Sequence, residues 1–320
     1  NGPLTSLIKI MRYSLVNRVK GTFLGAFLGE GLANPNCCNL GKIAVLGTES
    51  LISLGRLDVD DWLKRQEQAG IELETNIHSW GQIIFATLPV VMFFHENLMK
   101  MRENILEVQR IFILNQQHSP LITDASLIIG YAIAKSLNEK IDPLNLISEI
   151  VNFLDQTSSS LPQQLIKVND LLKKGVGLET ARKELNSPET LINNIGLAFY
   201  CFLSTLEDFS LTVFRATKNH DFAHEYITGA MAGALSGAYN SIVGIPVNWQ
   251  ISPSFTNSSP WGLDNFSQML ELADRMMAVW SGVYDFGGDF GEFTNKGYTI
   301  FAAPKIIRRR GNDIGLLFDF

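Results

Sequence analysis

Apolar residues recur three and four positions apart along nearly the whole 320-residue chain, while strictly alternating apolar and polar runs are scarce. The first spacing lines one face of a helix with 3.6 residues per turn; alternation would line one face of a strand. The pattern predicts an all-α protein with helices over 14–32, 41–54, 59–68, 80–94, 98–115, 120–137, 143–153, 163–174, 178–185, 187–203, 209–217, 224–241 and 262–284. Two starts are readable from chemistry. Asp58-Val59-Asp60-Asp61 loads carboxylates into a first turn, where they meet the positive end of the helix dipole. Ser187-Pro188-Glu189 offers an N-cap hydroxyl followed by proline at the first helical position.

Two of these helices carry glycine at every fourth residue: Gly21, Gly25 and Gly29 in the first, and Gly229, Gly233 and Gly237 near the end. Each interior glycine costs roughly 1 kcal/mol of helix propensity relative to alanine, so a compensating close approach is expected. A neighbouring backbone and a bound ligand are equally good candidates for what approaches.

Charged residues make up 18% of the chain against 46% hydrophobic, and the net charge is −6. That composition describes a core-rich globular chain and excludes a general nucleic-acid binder. The one dense basic run, at 308–310, reads as a solvated turn. Three cysteines, Cys37 and Cys38 adjacent and Cys201 in an apolar run, do not form a disulfide framework, and no second Cys/His pair has zinc-site spacing. Two uncharged stretches, 79–94 and 226–250, test as membrane spans. The first has only 16 residues and the second is interrupted by Asn240, Gly244 and Pro246. With no signal-peptide pattern, the expectation is a cytoplasmic protein with no transmembrane segment.

The stretch from Gly229 to Tyr239, with Gly244-Ile245-Pro246 and Trp249 after it, resembles the helix and turn that close the ADP-ribosylglycohydrolase core. Arg18-Val19-Lys20-Gly21 through Gly29 is similar to that family's opening helix, and residues 195–217 to the helices before its last motif. The resemblance spans roughly 15–285 and implies an orthogonal multi-helix bundle, with 1–14 an N-terminal extension and 286–320 a C-terminal tail. It also implies, for active members, two magnesium or manganese ions held by carboxylates from three motifs, which orient the ribose and assist attack of water on the anomeric carbon.

The motifs depart from that pattern where the chemistry lies. The usual Gly-Asp-Ala-Leu-Gly reads Gly29-Glu30-Gly31-Leu32-Ala33, which keeps a carboxylate one methylene further out. Thr-Asp-Asp-Thr falls on Cys38-Asn39-Leu40-Gly41, and Asp-Thr-Asp-Thr on His224-Glu225-Tyr226-Ile227, so all four aspartates are replaced. The substrate-contacting Asn-Gly-x-x-Met-Arg falls near 81–86 and lacks its arginine, whereas the histidine-proline turn is kept as His118-Ser119-Pro120. Amide, aliphatic and phenol side chains cannot offset the lost hydration of two dications. The expectation is therefore a pseudoenzyme with no metal and no cofactor. Its vestigial pocket comprises Glu30, Asn39, His118, His224, Glu225 and Tyr226, and it binds an ADP-ribose-like ligand or a protein partner.

Two rivals stand beside this reading. Glu30, His224 and Glu225, with His118 nearby, could surround one transition metal, although adjacent helical residues point in different directions. An active hydrolase could remove ADP-ribose with an altered metal site or with Glu30 as a general acid. His78 with Trp80 reads as the entry to a buried helix, Met276-Met277 with Trp280 as core or helix surface, and His95-Glu96 as a solvated helix end.

Overall fold

The computed structural model describes residues 12–34, 39–113, 119–218, 224–251, 260–263 and 265–283. His118, the Cys37-Cys38 pair and the 286–320 tail lie outside them. Among the described residues there is no strand, in agreement with the all-α pattern. In chain order the helices are α1 (Leu15–Ala33), α2 (Lys42–Leu54), α3 (Val59–Gln68), α4 (Ile77–Ala86), α5 (Leu88–Phe94), α6 (Leu98–Phe112), α7 (Ser119–Leu137) and α8 (Leu146–Leu154). Then follow α9 (Leu161–Lys173), α10 (Leu178–Leu185), α11 (Thr190–Ser204), α12 (Phe209–Thr217), α13 (Glu225–Asn240), α14 (Val247–Ile251) and α15 (Phe266–Trp280). Short 3₁₀ turns occupy Ile242–Gly244 and Pro260–Gly262.

The centre is the pair α1 and α13, and the two glycine stripes explain why. A Cβ built on Gly21, Gly25 or Gly29 would lie 2.3, 2.2 or 1.9 Å from the carbonyl oxygen of Gly237, Gly233 or Gly229 respectively. The stripes therefore face each other backbone to backbone, and no room remains between them for a ligand. Both helices are buried nearly all round, which is why their apolar residues spread over every face instead of forming one stripe. Around the pair, α7, α11 and α12 pack on α13, and α15 packs on α1. Arg18 brings a charge into this core: 3% exposed, it pairs with Glu139 and donates to the carbonyls of Ser136 (2.9 Å) and Tyr239 (3.2 Å). Those bonds offset its desolvation.

Local chemistry sets most of the boundaries. Asp58 caps α3 by accepting from the Asp61 N–H at 3.1 Å, with Asp60 and Asp61 in the first turn as expected. The single helix expected over 80–94 is instead two. Pro89 has no N–H to return to Phe85, and Thr87 turns the chain, its hydroxyl donating to the Ile84 carbonyl at 2.7 Å. The Ser187 hydroxyl accepts the Glu189 N–H at 3.4 Å, but no helix starts at that point. There Asn193 folds back, accepting from the Ser187 N–H (2.7 Å) and donating to its carbonyl (2.8 Å), and α11 starts at Thr190. The last helix starts at Phe266 rather than Gly262, because Asn265 supplies the cap by accepting from the Gln268 N–H at 3.1 Å.

Among the described residues two stretches are long and apolar enough to cross a membrane, Ile77–Phe94 and Pro120–Leu137, and 78% and 83% of their residues respectively are buried inside the bundle. Burial inside the protein accounts for their apolar character without a bilayer. His95 is also buried, at 2% exposure, with Nδ1 2.8 Å from the Met92 carbonyl and its ring against Trp280. It is a packed helix end and not a solvated one.

Candidate functional site

The C-terminal end of α1 and the loop into α2 deliver Glu30, Asn39 and Leu40 to one place. Glu30 has no exposed surface. Its Oε1 accepts the backbone N–H of Asn39 (2.9 Å) and of Leu40 (3.1 Å), and its Oε2 accepts the indole N–H of Trp261 (2.7 Å). The Trp261 ring lies against Gly41, where a Cβ would sit 2.1 Å from it, and meets Phe27 edge-on with centroids 5.9 Å apart. Only glycine at 41 lets the indole come this close. Burial pushes the Glu30 carboxyl up from 4.5 to about 7, against the three N–H bonds that favour its ionised form.

Asn39 takes part through its backbone. Its N–H goes to Glu30, and its carbonyl accepts from Gln82 Nε2 at 3.3 Å, which ties α4 to the loop. Leu40 is fully buried and lies beneath Gly81. The position that would hold the second aspartate of the motif is thus apolar packing.

The second cluster lies at the start of α13. His224 adopts a left-handed backbone (φ 62°), uncommon for a residue with a side chain, and its carbonyl accepts from the Ile227 N–H (3.0 Å) and from Asn194 Nδ2 (3.4 Å). The kinked start turns the His224 ring back towards Tyr226, whose hydroxyl lies 3.2 Å from His224 Nδ1 and 3.0 Å from His78 Nδ1. A phenol has one proton to give, so with both imidazoles neutral one Nδ1 accepts it and the other donates to the oxygen. Burial lowers the pKa of both histidines, and the neighbouring His224 lowers that of His78 further while Glu74 acts against it. Beside this cluster, Asn194 Oδ1 and Thr228 Oγ1 are buried with no hydrogen-bond partner among the described residues.

Of the six residues expected in the pocket, Glu30 and Asn39 meet in the first cluster and His224 and Tyr226 in the second, while Glu225 opens α13 beside them. His78, Gln82, Asn194 and Trp261 belong to these clusters and were not among the expected residues. They are contributed by α4, α11 and the turn before α15, far away in sequence. Gln82 falls in the 81–86 stretch matched to the substrate-contacting motif and His78 at the expected helix entry, whereas Asn194 has no local mark and Trp261 only its isolation with Gly262 in a Ser- and Asn-rich run.

The family profile of ADP-ribosylglycohydrolase matches residues 45–285. The chain belongs to this family. The match includes both histidines of the second cluster and begins after Glu30, Asn39 and Leu40. A search of curated proteins finds no match.

The cations that the ADP-ribosylglycohydrolase resemblance implies do not fit the described residues at these motif positions. Both Glu30 oxygens already accept N–H bonds, and a cation on either would meet the positive ends of those dipoles. Asn39 uses its backbone, Leu40 is apolar, and the hydroxyl of Tyr226 is shared by two imidazoles. No grouping of three His, Cys, Asp or Glu side chains suited to a metal occurs among the described residues. Glu30 and His224 have different hydrogen-bond partners, so the transition-metal arrangement gains no support from the geometry.

Proposed function

We propose that this chain is a catalytically inactive ADP-ribosylglycohydrolase-like protein, a pseudoenzyme serving as a ligand-binding or protein-interaction scaffold. The observation that carries the reading is the engagement of Glu30. The one carboxylate retained from the family motifs is buried, and its two oxygens accept three N–H bonds from Asn39, Leu40 and Trp261. A group held in this way braces the α1–α2 loop against the indole. Both of its oxygens are engaged within the fold. The buried oxygens of Asn194 and Thr228 support the ligand form of the proposal, because an unpartnered buried acceptor costs about 1–3 kcal/mol until a water or a ligand donates to it.

One observation favours a hydrolytic reading. A carboxyl raised to about 7 has the acidity of a general acid at neutral pH. A general acid must also reach the leaving group, and Glu30 has no exposed surface.

The test is release of ADP-ribose from modified arginine and serine peptides with magnesium or manganese present, by the parent chain and by Glu30→Gln. The expected result is no release above buffer from either. Turnover by the parent that is lost in the variant would overturn the proposal. Calorimetry with ADP-ribose separates its two forms: saturable heat supports the ligand form, and silence at millimolar concentration leaves the partner form.

A further inference from the structure

A second concavity lies away from both clusters, framed by the C-terminal ends of α9, α11 and α12. Its volume is about 450 Å³, within the range of small-molecule sites. Ser204 on its wall is ten residues beyond Asn194 along α11, which places it about 15 Å from the His224 cluster at 1.5 Å per residue. The two sites share a helix but no residue.

The lining is apolar below and cationic above. Leu172 and Leu203 contribute partly buried apolar surface, while Leu144 stands at the lip with 79% of its surface in water. Lys173 and Arg215 also line the opening, and no Asp or Glu does. Neither Lys173 nor Arg215 forms an ion pair among the described residues, so both charges are available to a ligand. Arg215 is positioned all the same. One guanidinium N–H donates to Ser204 Oγ at 2.9 Å, and its central carbon lies 5.6 Å from the Tyr200 ring centroid. The tyrosine hydroxyl in turn donates to the Val176 carbonyl, which fixes the ring. An arginine held by a hydroxyl and an aromatic face loses less conformational freedom when its remaining N–H groups bind an anion.

The helix ends work against an anion, and their size decides the matter. The C-terminus of a helix carries about half a negative charge, and this falls off within its last turn. On α9 the terminal carbonyls are already closed by the N–H groups of Lys174, Gly175 and Val176. On α11 the Ser204 and Thr205 hydroxyls donate to the carbonyls of Tyr200 and Cys201. Two full, unpaired positive charges outweigh these capped ends.

We infer that this groove binds a small amphiphilic anion, a carboxylate or phosphate carried on an apolar body. The acid group meets Arg215 and Lys173, and the apolar body covers Leu144, Leu172 and Leu203. The inference is independent of the state of Glu30.

Octanoate is the probe, titrated into the full chain by calorimetry, with 1-octanol as the body without the charge and inorganic phosphate as the charge without the body. Octanoate is expected to saturate one site per chain at millimolar concentration or below. Octanol and phosphate should each bind about tenfold more weakly or not at all, and Arg215→Gln should weaken octanoate by about tenfold, the effect of losing one charge-assisted contact. If Arg215→Gln alters the thermal midpoint through Tyr200, Lys173→Gln decides, since Lys173 is exposed and makes no ion pair. Non-saturating octanoate, octanol binding as well as octanoate, or unchanged affinity in both glutamine variants would overturn the assignment.

Discussion

Replacing Glu30 with glutamine removes a buried ionisation while nearly preserving shape, so the pH dependence of stability isolates this one group. The displacement of its pKa from 4.5 to about 7 corresponds to roughly 3 kcal/mol, at about 1.4 kcal/mol per tenfold change in proton affinity. The sign follows from proton counting. Between the two values the folded chain holds a proton on Glu30 that the unfolded chain has released, so folding is favoured at low pH and stability falls as pH rises through this window. Above about 7 both states are ionised and the loss is complete. The glutamine variant lacks this loss. It carries a constant penalty instead, because its amide N–H₂ must face at least one of the three N–H donors, at about 1–3 kcal/mol. The variant is therefore less stable than the parent at pH 4.5, and the gap closes or reverses by pH 8. Urea unfolding of both proteins across this range measures the difference, in which His78 and His224 cancel because both chains carry them. Parallel curves, with a gap constant to about 0.5 kcal/mol, would refute the buried, ionisable Glu30 described above.

Other expectations follow from the same packing. Gly233→Ala gains about 1 kcal/mol of helix propensity, but its Cβ would fall 2.0 Å from the Gly25 carbonyl oxygen. It should therefore lower the thermal midpoint by several degrees or prevent folding, whereas Gly177→Ala, with nothing within 4 Å, should cost only the exchange of a glycine N-cap on α10, about 0.5–1 kcal/mol. Trp261→Phe removes an N–H that favours the ionised carboxylate, so the stability loss assigned to Glu30 should extend to higher pH in the same unfolding series. His224→Ala removes a like charge from His78 and should raise the His78 pKa, as read by NMR titration of its ring. Because burial lowers both histidine pKa values in the folded chain, their own contribution to stability is lost as pH falls below about 6.5.

Helix content was legible in the sequence because the 3.6-residue period is a local property, and Asp58 announced its own cap for the same reason. The boundaries that failed were decided by residues acting at a distance or by competing local chemistry. Asn193 clasped Ser187 from within α11, and Thr87 with Pro89 split one apolar run into two helices. The site divides the same way. Motif positions identified Glu30, Asn39, His224 and Tyr226, but their partners Trp261 and His78 stand 231 and 148 residues from them.

By itself the sequence determined the helices and the glycine stripes, since each is a statement about residue identity and spacing along one chain. Only the tertiary structure decided what the stripes face and what holds Glu30. The apposition of Gly25 with Gly233, and of Trp261 with Glu30, is set by how distant helices pack. Burial and N–H bonding then fix the acidity of that carboxylate, and neither property belongs to a residue until the chain has closed around it.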